Sequence, residues 1–240
     1  MNQHGVQEAY YKSFRDKGEI WVYPKVGGQA FRKPISWCTA EADFQSKELE
    51  KVQADIIENH GIRAIWHLLK PGRLSEQQYK ILLGWIALHL TRAPKVRNIL
   101  FQTNQHYERE FPVEFTQQLL GLRSSYAVAD VYTCDSPKFL ITCDNPVLEF
   151  DIERGGKSIL ILPISPSRFV QLSSDGRRWQ HEECSVDEFV NAMIWASAFK
   201  YVFSHRGDVD ITKCKEISER FDIAPVLETQ SFQLLSYAAC

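Results

Sequence analysis

Asp144 and Asn145 are the residues of this sequence whose position most suggests chemistry. They follow an apolar run directly in the stretch FLITCDNPVLEF, residues 139–150. Pro146 lacks a backbone N–H and disfavours helical backbone at Asn145, so we expect the pair to lie where a strand ends and the chain turns. Asp-Asn-Pro is also a good turn sequence, because both side chains can bond nearby backbone amides. Structural and functional roles for Asp144 therefore both stay open.

Arg92 and His4 are the other two candidates. A carboxylate placed against an apolar strand needs a partner, which a metal ion or Arg92 could supply to Asp144. A guanidinium matches phosphate or carboxylate with two parallel hydrogen bonds, so Arg92 could bind substrate. Its alternative role is to neutralise the last carbonyls of its own helix. His4 could be an acid, a base or a metal ligand, or only a capping or surface residue.

Several acids are secondary candidates. Glu50 and Glu58 are eight residues apart on a predicted helix, which is more than two turns and too far for one metal ion alone. We interpret them as part of a solvated face. Glu149 and Asp151 alternate along one face of a predicted strand and could pair with cations across the sheet. A nucleophilic role for Cys143 is disfavoured, because the neighbouring Asp144 would raise the pKa of the thiol.

Composition and missing motifs limit the function classes. The chain has 240 residues, 44% of them hydrophobic, and a net charge of -2 without basic runs. These values predict one domain and no broad surface for nucleic acid, although they do not exclude a local basic groove. Six widely separated cysteines predict reduced thiols. No apolar run approaches the roughly 20 residues of a membrane span, and the polar start lacks signal-peptide features, so we predict a cytoplasmic protein. Dinucleotide, P-loop, zinc-protease and hydrolase-elbow motifs are absent from the sequence.

The first half of the chain is predicted to be helical. Residues 39–69 are rich in helix formers, and apolar residues recur at helical spacing after the capping box formed by Ser75 and Gln78. Helical patterns continue to about residue 122. Before them, we predict a short helix over residues 4–14 and a β-hairpin that turns at Gly27-Gly28.

The second half is predicted to be an antiparallel sheet followed by a helix. Short β-branched and aromatic runs cover residues 126–180, with turn residues between them. A second capping box, Ser185 with Glu188, predicts a helix over residues 185–203. A last strand is predicted at FQLLSYA, residues 232–238. The class is α+β, a single domain in which the helical N-terminal half packs on the antiparallel sheet.

Four stretches of the chain carry a resemblance to a known family. They are QHGVQEAYYKSF (3–14), LHLTRAPKVR (88–97), FLITCDNPV (139–147) and LPISPSRFVQL (162–172). In this order they resemble the domain-of-unknown-function 4238 family, and Asn191 resembles a further recurring position. Cys143 stands where that family usually has Ser, and Gly5-Val6-Gln7 replaces the usual Tyr-Val-Pro. The resemblance implies a widespread intracellular bacterial and phage family without specifying a chemistry.

Two functions fit these residues. The first is a metal-assisted hydrolase of a phosphate-containing substrate, nuclease-like or phosphodiesterase-like, which would act in phage–host conflict. In it Asp144 and His4 are catalytic and hold a divalent metal ion, whereas Arg92 and Asn145 bind substrate. The second is a noncatalytic binding or regulatory protein that recognises a small anion or a protein partner. Both require His4, Arg92 and Asp144 to converge on one opening.

Overall fold

The computed structural model of the chain describes residues 3–4, 6–41, 46–70, 74–93, 107–126, 128–134, 138–153, 157–173, 184–221 and 223. These residues form an α+β fold, as predicted, with most helices before residue 126 and most strands after it. The strand predicted over residues 232–238 lies outside the described residues. The helical stretch predicted over residues 96–107 also lies outside them, except for Tyr107.

The helices of the first half are α1 (Glu8–Tyr11), α2 (Ile35–Thr39), α3 (Lys47–Gln53), α4 (Asn59–Leu68), α5 (Glu76–Arg92) and α6 (Tyr107–Ser125). A 3-10 turn, Lys12–Phe14, follows α1, and a π-helical segment, Ala54–Glu58, joins α3 to α4. The second half adds α7 (Val186–Ser197) and α8 (Ile211–Arg220).

Helix α5 is the centre of the helical half, and both α4 and α6 pack against it. It begins with the predicted capping box, in which Ser75 and Gln78 bond each other's backbone N–H. It ends at Arg92, since Ala93 has a ψ of 134°, as expected for a residue before proline. Its apolar face lies in the main hydrophobic core, where Leu82 and Ile86 are fully buried.

The strands are β1 (Gln3–His4), β2 (Glu19–Pro24), β3 (Phe31–Pro34), β4 (Ala40–Glu41), β5 (Val128–Thr133), β6 (Thr142–Cys143), β7 (Leu148–Glu153), β8 (Lys157–Ser165), β9 (Arg168–Ser173) and β10 (Tyr201–Ser204). One antiparallel sheet has the order β5-β9-β8-β7, and a second has the order β3-β2-β10-β6. Strands β1 and β4 pair separately. The predicted hairpin is confirmed, and Gly27 and Gly28 at its turn have positive φ angles of 61° and 103°.

Three local predictions were wrong. His4 lies in β1 rather than in the first helix, which begins at Glu8. The helix predicted to reach residue 203 ends at Ser197, and residues 201–204 form β10. The strand of FLITC joins the hairpin sheet through β10, not the sheet of β7–β9. Each error has the same origin, because strand pairing with a distant segment overrides local propensity.

Tyr10 links the two sheets through the core. Its hydroxyl donates to the backbone oxygen of Pro163 in β8 and lies 2.9 Å from the hydroxyl of Thr142 in β6. Its ring also packs against Trp85 of α5, with centroids 5.7 Å apart. Three of the stretches that carry the family resemblance therefore meet around this one buried tyrosine, and Trp85 lies just before the fourth.

Candidate functional site

The Asp144 carboxylate holds the turn between α7 and β10. Its Oδ1 accepts from the Phe199 N–H at 2.8 Å, and its Oδ2 accepts from the N–H groups of Lys200 and Tyr201 at 2.7 and 3.1 Å. The partner that sequence reasoning required for this acid is thus a row of backbone amides. Since both oxygens are engaged, this bonding favours a structural role for the carboxylate over metal ligation.

Lys25 holds the other side of the same turn. Its ammonium group donates to the backbone oxygens of Ala196 and Ala198 at 2.8 and 2.6 Å. These carbonyls lie at the C-terminal end of α7, where backbone oxygens lack intrahelical donors and a cation is favourable. The Asp144 carboxylate therefore binds the backbone N–H groups that follow α7, while the Lys25 ammonium group binds the last carbonyl oxygens of the helix. We call this arrangement the Asp144–Lys25 clamp.

Arg92 is buried in the helical half, with an exposed fraction of 2%. Its guanidinium forms an ion pair with Glu58 and donates to Gln53 Oε1, with Nε at 3.0 Å. The interpretation of Glu58 as part of a solvated face was wrong, because only 6% of this residue is exposed. Burial of the cation explains the pairing, since an unpaired charge in the core is very costly.

The π-helical segment brings Gln53 and Glu58 to the same cation. In an α-helix, residues five apart are about 140° apart around the axis and cannot both face Arg92. The Asn59 N–H bonds the Ala54 oxygen, five residues earlier, which is the widened π turn. Just beyond it, Gly61 provides room for Trp85, whose Cδ1 would lie 2.3 Å from a Cβ at this position.

Asn145 lies on the wall of a groove of about 920 Å³. The groove is formed by residues 24–28 of the hairpin, residues 195–199 at the end of α7 and one face of α8, and we call it the Asn145 groove. Its volume is that of ligand sites. Neither Arg92 nor Asp144 lines it, although the Asp144–Lys25 clamp fixes its α7 wall. The sequence had not predicted the contribution of α8.

The backbone of His4 pairs with Ala40, but its side chain lies outside the described residues. Its proximity to Asp144 therefore stays a prediction. The polar residues that sequence reasoning missed include Lys25, Gln53, Tyr10 and Thr142, and only their partners across the fold distinguish them from other polar residues.

Two further polar positions have structural partners. Asn191 bonds the backbone of Phe139 and Ile141, which attaches α7 to the segment before β6. Glu149 accepts from the Tyr126 hydroxyl at 2.8 Å. Burial raises the pKa of the Cys143 thiol well above its usual value, and the Asp144 charge raises it further. This confirms the expected direction and leaves Cys143 a protonated packing residue.

Among the side chains that the structure describes, no group of three or more His, Cys, Asp or Glu residues could hold a metal ion. The described helices include none with the length and apolarity to cross a membrane. No protein-family model matches the chain, and no curated protein or solved structure matches it either. The geometry of the groove and of the two polar clusters is therefore the basis for any functional argument.

Proposed function

We propose that this protein is a noncatalytic binding protein that holds a small ligand in the Asn145 groove. The observation that carries the proposal is the groove itself, whose volume is about 920 Å³ and whose wall includes Asn145. Apolar walls with a few polar groups are typical of sites for small organic ligands. Trp195 and Phe199 supply apolar surface, and Asn145 and Thr212 supply polar groups.

The bonding of the other candidates supports binding rather than hydrolysis. Asp144 already accepts three backbone N–H groups, and Arg92 is neutralised by Glu58 inside the core. In a hydrolase that used them, a metal ion or a phosphate would have to compete with these bonds. The resemblance to the domain-of-unknown-function 4238 family is compatible with either activity, and membership of that family is part of this proposal.

The experiment compares ligand binding by the parent protein with binding by a variant whose groove is filled. Thr212→Trp places a large side chain on the exposed, groove-facing side of α8, and Glu216→Trp is the matched control on an exposed part of the same helix outside the groove. Both variants are tested by thermal shift and calorimetry against AMP, ATP, inorganic phosphate, 1-naphthoate and the uncharged 1-naphthalenemethanol.

We expect at least one of these compounds to stabilise the parent and the Glu216→Trp control but not Thr212→Trp. Absence of groove-dependent binding by every compound would overturn the proposal. Hydrolysis is tested in parallel with DNA, RNA and nucleotides in the presence of Mg²⁺ or Mn²⁺. Metal-dependent turnover that is lost in His4→Ala and Asp144→Asn, with both variants folded, would support the hydrolase instead.

A further inference from the structure

We propose that the ligand of the Asn145 groove is an aromatic anion, with its ring against Phe199 and its anionic group at Lys215. This inference rests on the proposed binding function and deepens it by naming the chemical class of the ligand. The class includes nucleotides, whose anionic group is a phosphate, and aromatic carboxylates. The experiment distinguishes these two kinds of ligand.

The charges of the groove favour an anion. Its wall carries Lys25 and Lys215 but a single acid, Glu219. The Lys215 ammonium lies 3.7 Å from Glu219, and 58% of its side chain is exposed. Such an exposed pair one turn apart contributes little to stability, so Lys215 can turn to a ligand at small cost.

The apolar surface of the groove favours a ring. Phe199 is 43% exposed although it is a large aromatic residue, and Val26 at the hairpin turn is 92% exposed. Both line the groove and offer surface that a ligand would cover. The Lys200 ammonium lies 5.6 Å from the centre of the Phe199 ring. A flat ring stacked on Phe199 would therefore remove apolar surface from water beside another cation.

Ser197 provides an independent sign of a missing partner. It lines the groove and is only 8% exposed. Its hydroxyl oxygen is buried, and no hydrogen-bond partner for it exists among the described residues. A buried hydroxyl without a partner is unfavourable, and native proteins contain few of them. A polar group of a bound ligand would supply this partner, because Ser197 lines the groove.

The test measures dissociation constants of AMP, 1-naphthoate, inorganic phosphate and 1-naphthalenemethanol by calorimetry. We expect the two aromatic anions to bind at least tenfold more tightly than phosphate, which lacks a ring, and than the alcohol, which lacks the charge. Tighter binding of AMP indicates a phosphate ligand, and tighter binding of 1-naphthoate indicates a carboxylate ligand.

Matched variants locate the two contacts. Lys215→Gln should weaken the aromatic anions about tenfold, as expected for loss of one charge-assisted hydrogen bond, with Lys51→Gln on α3 as the control. Phe199→Leu should weaken them about fivefold through lost stacking, with the similarly exposed Trp66→Leu as the control. Ser197→Ala should weaken binding without lowering the melting temperature of the ligand-free protein.

The outcomes separate this inference from the proposed function. If the uncharged alcohol binds in the groove as tightly as 1-naphthoate, or if Lys215→Gln and Phe199→Leu leave affinity unchanged, the aromatic-anion inference is wrong while the binding function stands. If no compound binds in the groove, so that Thr212→Trp has no effect, both the aromatic-anion inference and the proposed binding function are wrong.

Discussion

Replacing Asp144 tests whether its carboxylate is a structural group. Loss of a structural carboxylate lowers the stability of a protein, whereas loss of a catalytic one often raises it. Asp144→Ala leaves the N–H groups of Phe199, Lys200 and Tyr201 without their acceptor. Hydrogen bonds to charged groups contribute about 1.5–3 kcal/mol each when buried. The bonds here lie in a partly exposed turn, so we take about 1 kcal/mol for each and expect a loss of about 3 kcal/mol in the free energy of unfolding.

The expected loss is measurable by chemical denaturation and by melting. For a chain of this size, about 3 kcal/mol corresponds to a decrease of roughly 6–12 °C in the melting temperature. Asp144→Asn keeps one acceptor oxygen but points an amide N–H₂ at backbone donors, so it should lose about 2 kcal/mol. Asp55→Asn, at an exposed position of the π-helical segment, is the control for loss of an acidic charge.

The measurement that decides is urea denaturation followed by circular dichroism, with the slope of unfolding checked for each variant. A midpoint for Asp144→Ala equal to that of the parent, or higher, would refute the clamp. Removal of a strained catalytic acid often stabilises a protein, so that result would return Asp144 to the list of catalytic candidates. Loss of stability in Asp144→Ala together with an unchanged Asp55→Asn would confirm the structural role.

Two further predictions concern the helical half. Gly61→Ala should destabilise the protein by about 1–3 kcal/mol, because the added Cβ overlaps the buried Trp85. Gly84→Ala, with open space around its added Cβ, should stabilise the protein by up to about 1 kcal/mol. Equal effects of the two variants in urea denaturation would contradict the close approach of Gly61 to Trp85. Arg92→Met should lower the free energy of unfolding by about 3–5 kcal/mol, because Glu58 is left buried and unpaired. Adding Glu58→Leu should recover most of this loss. A double-mutant cycle without coupling between the two positions would refute the ion pair.

The features that the sequence predicted well depend on neighbours in the chain. The Ser75–Gln78 capping box joins residues three apart, and the hairpin requires only two glycines with positive φ. The turn at Asp144 follows from the proline after Asn145. Such features are readable because backbone sterics and local hydrogen bonds act within one turn of a helix or one hairpin, whatever surrounds them.

The function of each polar side chain was decided by tertiary structure. Asp144 and the backbone amides that donate to it are 55–57 positions apart, and Arg92 lies 34 positions from Glu58. Sequence patterns identify these groups as polar residues in apolar surroundings but contain no record of which distant group neutralises them. The partner is selected when helices and strands pack, since only then does loss of water make an unpaired charge or amide costly. The sequence alone therefore determined which residues needed partners, and the packed fold determined what those partners are.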